Sequence, residues 1–236
     1  MRATQSLQST RHGGHPEKCA YGLVTRRSLV CSLALVALGT LLPSSDAVAA
    51  TAAETFVRTN IDKSYAILNG DDDGSRQAAF RVLLESIVDT KRVALFTLGP
   101  YAREVSQADL AIFMVQFTDL LAYVYERGLD TYKGRTLEVI GSSERSPGDF
   151  IVNVVVGGRS QAASNVHIDF RVRRQPDGGN AITDLQVEGV WLALMQREEF
   201  IAYLQQHHGS ITDLSSEVKR KVEQLRSASK SAATSS

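Results

Sequence analysis

His167 and Asp169 stand two residues apart in a stretch that alternates apolar and polar, Val166-His167-Ile168-Asp169-Phe170-Arg171-Val172. A period of two sends both side chains to one face of a strand. Asp184, in the next alternating stretch, is expected nearby. One imidazole with two carboxylates is enough for acid–base work. The same residues also make the ordinary wet face of a half-buried strand, and this plainer reading is the stronger one. His207-His208 precede Gly209; neighbouring helical positions diverge, so the pair suits a helix C-terminus better than a metal site. Asp71, Asp72 and Asp73 are consecutive, whereas calcium loops alternate their ligands and end on a glutamate, so these three read as a solvated turn. The sequence after residue 49 has no G-x-S-x-G, H-E-x-x-H, P-loop or G-x-G-x-x-G pattern. No cofactor or metal is expected.

The first 49 residues are set apart. Arg26 and Arg27 precede an uncharged apolar run from Leu29 to Leu42, and a small-x-small site follows at Ala47-Val48-Ala49. This is the layout of an export signal cleaved near Ala49/Ala50. The run is shorter than the ~20 residues that span a bilayer as a helix. The Thr25-Arg26-Arg27-Ser28-Leu29 pattern fits a twin-arginine signal as well as ordinary secretion. Cys19 and Cys31 both lie in this leader, so the exported remainder has no disulfide, thiol nucleophile or cysteine metal site. That remainder holds 21 Lys+Arg against 24 Asp+Glu. A nucleic-acid binder needs a basic balance or stripe, and neither is present.

The elements that must position the candidates follow from hydrophobic periodicity. Helical stripes run through residues 52–69, 75–90, 91–98 and 106–128, the last capped by Ser106 and carrying Phe113, Phe117, Leu120 and Leu121 on one face. From Arg135 the period changes to two. Residues 135–140, 150–156, 166–173 and 181–188 read as four strands joined by short glycine-rich turns, which only an antiparallel meander allows. Helices return at 195–207 and 212–226, and residues 228–236 form a low-complexity tail expected to be disordered. The expected fold class is α+β, with about four antiparallel strands wrapped by about six helices. The domain expected to carry the function spans residues 50–227.

The stretch Val187-Glu188-Gly189-Val190-Trp191-Leu192-Ala193-Leu194 holds the only tryptophan and lies between strand and helix. With Leu98-Gly99-Pro100-Tyr101, Phe113 to Leu121, Tyr125, Tyr132-Lys133-Gly134, Asp184, Arg197 and Phe200, it resembles the MlaC or toluene-tolerance family of periplasmic phospholipid-binding proteins. The resemblance runs from about Phe56 to Leu225. Trp191, where the phospholipid shuttles have a small polar residue, is more similar to the hopanoid-associated HpnM branch.

The resemblance implies an apolar cavity between sheet and helices that holds acyl chains, with the head group at its mouth. Two acyl chains of roughly 30 methylenes at about 0.8 kcal/mol each would cost on the order of 24 kcal/mol to expose to water, which is what makes a soluble carrier necessary. Following the dry faces, the expected lining is Val93, Phe96, Tyr101, Phe113 and Phe117 from the helices. Val154, Ile168, Phe170 and Val187 join it from the strands, and Trp191 and Leu194 from the passage between them. The implied partners are a phospholipid or hopanoid lipid, an inner-membrane ABC-type lipid transporter complex and an outer-membrane lipoprotein complex. An exported enzyme using His167, Asp169 and Asp184 in a conical pocket is the alternative.

Overall fold

The computed structural model describes residues 45–69, 73–157 and 166–234. The leader up to residue 44, Asp71 and Asp72 lie outside the described residues. Three helices come first: α1 (Ser45–Leu68), α2 (Asp73–Ile87) and α3 (Thr90–Leu98). A 3-10 turn (Gly99–Arg103) leads into the long α4 (Gln107–Thr131). The strands β1 (Thr136–Ser146), β2 (Asp149–Gly157), β3 (Val166–Arg174), β4 (Asn180–Val187) and β5 (Val190–Trp191) follow, then α5 (Leu192–Gln206) and α6 (Ile211–Thr234). The sheet is a five-stranded antiparallel meander in chain order. The fold is therefore α+β as expected, with a two-residue fifth strand added at the edge.

Local chemistry accounts for the boundaries. Asp89 accepts from the Arg92 backbone N–H at 3.1 Å to start α3, and Ser106 Oγ accepts from the Asp109 N–H at 3.0 Å to start α4. Gly99 closes α3 with φ +60, and a β-carbon there would lie 2.7 Å from Ile201 Cδ1. The positive φ favours glycine here, and a β-carbon would also require Ile201 of α5 to shift. His207, the C-cap of α5, stacks on Tyr203 at 3.9 Å. The helix α6 runs to Thr234, past Arg226, where its apolar stripe ends. Its residues Ile211, Leu214, Val218 and Val222 are buried at the helical spacing.

Two main cores result. One joins the inner face of the sheet (Val152, Val154, Ile168, Phe170) to Val57 and Ile61 of α1 and to Leu83 and Ile87 of α2. The other is helical and joins α3, α4, α5 and α6 around Phe113, Phe117, Phe200 and Leu204. Phe113 and Phe117 stack at 5.5 Å, and Phe200 meets both edge-on, an arrangement that suits the aromatic quadrupole. Helix α4 is long and apolar enough to cross a membrane. It packs against α2 and α6, which bury a third of its apolar window, while Ile112, Val115 and Val124 stay exposed. Val88 packs against both cores and forms a bridge with Ile182.

Candidate functional site

The sheet register assigns each side chain to a face. Val154 pairs with Ile168, and Ile168 pairs with Val187, so these three form one row on the inner face. Asn153, Asp169, Gln186 and Trp191 form the adjoining row, on the outer face. His167 and Asp169 alternate with the buried Ile168 and Phe170 and also belong to the outer face, His167 exposed. Asp184 pairs with Arg171 on the same side.

The acid–base alternative placed His167, Asp169 and Asp184 in a conical pocket. The strand alternation instead puts them opposite the core, and the carboxylates of the two aspartates have local work. Asp169 accepts a 2.7 Å hydrogen bond from Asn153 Nδ2. Asp184 Oδ1 accepts from the backbone N–H of Leu185 at 2.8 Å and from that of Ala193 at 3.0 Å. Ala193 lies in the first turn of α5, whose own N-cap, Trp191, has no side-chain cap bond. Asp184 therefore caps α5 from a neighbouring strand. Burial pushes its carboxyl above the ordinary carboxylate range, against the two N–H donors and Arg171.

The residues expected to line a single cavity are divided by the fold. Val154, Ile168 and Phe170 are buried in the sheet core. Val93, Phe113 and Phe117 are buried in the helical core, with Tyr101 packed at its edge. Val187 and Trp191 are half-buried and belong to neither cluster. Trp191 departs from the expected dry face, because a two-residue turn separates it from Val187. Phe96 is 42% exposed and Leu194 45%; the Arg197 guanidinium lies 5.0 Å over the Phe96 ring and donates to its carbonyl.

Among the described residues, open space lies elsewhere, along the seam between α1 and α2. A hollow of about 840 Å³ is lined by Ala52, Phe56, Asn60 and Lys63 of α1 and by Ser86 and Ile87 of α2, among others. A second, of about 560 Å³, continues past Lys63 and Ser86 to Ala66, Ile67, Ala78, Ala79 and Val82. Both are open to the surface and not enclosed. Leu83 and Ile87 belong to the sheet core, and Phe56 and Ile67 pack against it, so the floor of this groove is also a wall of that core. The helices on either side share α4 as a neighbour, through the Ser64–Tyr125 hydroxyl pair on the α1 side, and each has further ties. Helix α1 is tied outward through Glu54 to Ser142 of β1 and through Tyr65 to the Arg135 carbonyl. Helix α2 is tied to α4 through Arg76–Glu126 and Arg81–Asp119.

None of the groove residues stands out by type, since alanine, threonine and lysine on a helix read as a solvent face. One signal was available: Asn60 and Ser64 interrupt the buried stripe of Ala53, Val57, Ile61 and Leu68.

The family model for the MlaC protein matches residues 58–220, which takes in every described helix and strand in whole or part. The chain belongs to the MlaC family. Among solved structures, this MlaC-family chain is similar to one described as the phospholipid-binding protein from Ralstonia solanacearum in complex with a phospholipid, with a TM-score of 0.63 and 21% identity. The match covers 74% of this chain and 98% of that one, and it supports the same fold. No curated protein matches the chain.

Proposed function

We propose that this MlaC-family protein is a lipid-binding carrier of the periplasm, moving phospholipid or hopanoid-type lipid between the inner and outer membranes. The observation that carries the reading is the family match over residues 58–220, on a fold whose open groove is floored by helix residues of α1 and α2 that pack in or against the sheet core. Acyl chains lying there would meet the side chains that already pack on Val154, Ile168 and Phe170. The partners in this reading are an inner-membrane lipid transporter complex and an outer-membrane lipoprotein complex, and residues 1–49 act as the export signal. Trp191, on the outer face, is the feature that favours the hopanoid-associated branch.

Organic extraction of the gently purified protein, followed by mass spectrometry, tests the reading. About one lipid per chain is expected, and its class distinguishes phospholipid from hopanoid. A protein that is free of lipid and takes none from vesicles refutes carriage.

A further inference from the structure

Asn60 is 4% exposed, on the α1 side of the groove. Its Nδ2 donates to the Phe56 carbonyl at 2.8 Å, which fixes the orientation of the amide, since a flip would set two acceptors against each other. Its Oδ1 is buried and has no hydrogen-bond partner. Buried amide oxygens are nearly always satisfied, and one left bare is costly. Lys63 lies three residues further along α1, so it is a neighbour on the helix surface. It lines both hollows, and no described ion pair engages its ammonium. Beyond it the groove is walled by Ala66, Ile67, Ala79 and Val82. An acceptor that needs a donor, an unpaired cation and an apolar trough thus follow one another along one seam.

We propose that the seam between α1 and α2 is the portal for a phospholipid whose head carries an N–H or O–H donor. The donor bonds to Asn60 Oδ1, the phosphate faces the Lys63 ammonium, and an acyl chain lies in the trough beyond. This rests on the carriage reading and adds where the lipid enters and what selects its head. Phosphatidylethanolamine has an ammonium that donates. Phosphatidylcholine has the same phosphate but a fully methylated nitrogen that cannot.

The test uses the full chain and vesicles of equal parts phosphatidylethanolamine and phosphatidylcholine, each with a photoactivatable acyl chain and a distinct isotope label. The protein is expected to take phosphatidylethanolamine over phosphatidylcholine by about tenfold, the discrimination worth one hydrogen bond to a charged donor. Irradiation is expected to attach acyl chains around Ala66, Ile67 and Val82. Asn60→Leu should bring the ratio to about one while keeping total lipid. Lys63→Glu, at an exposed position with little bearing on folding, should lower uptake of both lipids by about tenfold. Adducts confined to segments outside α1 and α2 overturn the proposal, as does a ratio that Asn60→Leu leaves unchanged. If Asn60→Leu does not fold, undiminished uptake by Lys63→Glu overturns it. Uptake of neither lipid by the unaltered chain refutes carriage itself, a different outcome from misplaced adducts.

Discussion

Asp149 and Asp184 show how two aspartates of one sheet come to do opposite work. Asp149 is buried at the start of β2, where Arg171 donates to both of its carboxylate oxygens, at 3.0 and 2.7 Å, and Arg173 lies 3.6 Å away. The hydrogen-bonded Arg171 guanidinium holds its carboxyl below the ordinary range. A depressed folded value means that the stabilisation is present above the unfolded pKa of about 3.9 and is lost as pH falls through the folded value. Asp184 is shifted the other way by burial, and its value lies in the oxygen it offers to the Ala193 N–H. The same substitution should therefore separate the two. Asp149→Asn is expected to cost about 2–3 kcal/mol at pH 7, less than a fully buried pair because Arg171 is a third exposed, with the loss shrinking below pH ~4. Asp184→Asn, which keeps an acceptor, should stay within about 0.5 kcal/mol, and Asp184→Ala should cost about 1 kcal/mol as a lost helix cap. Urea unfolding at pH 7 and pH 3 measures all three.

At the scale of elements, most of the fold was legible because period is a local property. The helical stripes and the strand alternation are set by which residues can share a face, and the buried positions Phe80, Leu84, Phe113, Val154 and Ile168 are those the periods select. The β4–β5 hairpin was not legible. Counting by twos from Val187 puts Trp191 on the same face, yet the turn at Glu188-Gly189 pairs Val187 with Val190 and Gln186 with Trp191, which moves the indole to the outer face. Both turn residues have positive φ, 48 and 85, the requirement of a type I′ turn whose twist matches that of the strands. A strand of two residues carries no period of its own, so only the turn could have revealed the reversal. Gly189 has open space where a β-carbon would go. Gly189→Ala therefore tests backbone conformation alone, and a loss of about 1 kcal/mol is expected in thermal unfolding. The single tryptophan, two residues away, should report the hairpin by a changed emission maximum.

For the molecule as a whole, the decisive fact is that its apolar residues are partitioned. A list of large buried side chains cannot say whether they surround one space or fill two. The site was illegible for this reason: Val154 and Phe113 carry the same signal in sequence but belong to different cores. The groove between α1 and α2 borders only the first of them, through Leu83 and Ile87. If acyl chains enter by that seam, space created in the sheet core becomes continuous with the lipid, whereas space created in the helical core stays sealed. Phe170→Ala and Phe113→Ala make the comparison at equal chemical cost. Each deletes a buried phenyl ring and should destabilise by about 3–5 kcal/mol in denaturant unfolding. Only Phe170→Ala should alter what the protein carries, shifting the retained lipids toward longer or bulkier chains in native mass spectrometry, because a cavity lined by apolar side chains and open to the ligand is filled by it. The lipid profile of Phe113→Ala should match that of the unaltered chain. A shift in Phe113→Ala with none in Phe170→Ala would place the acyl chains among α3, α4 and α5, and the seam would then be closed to them.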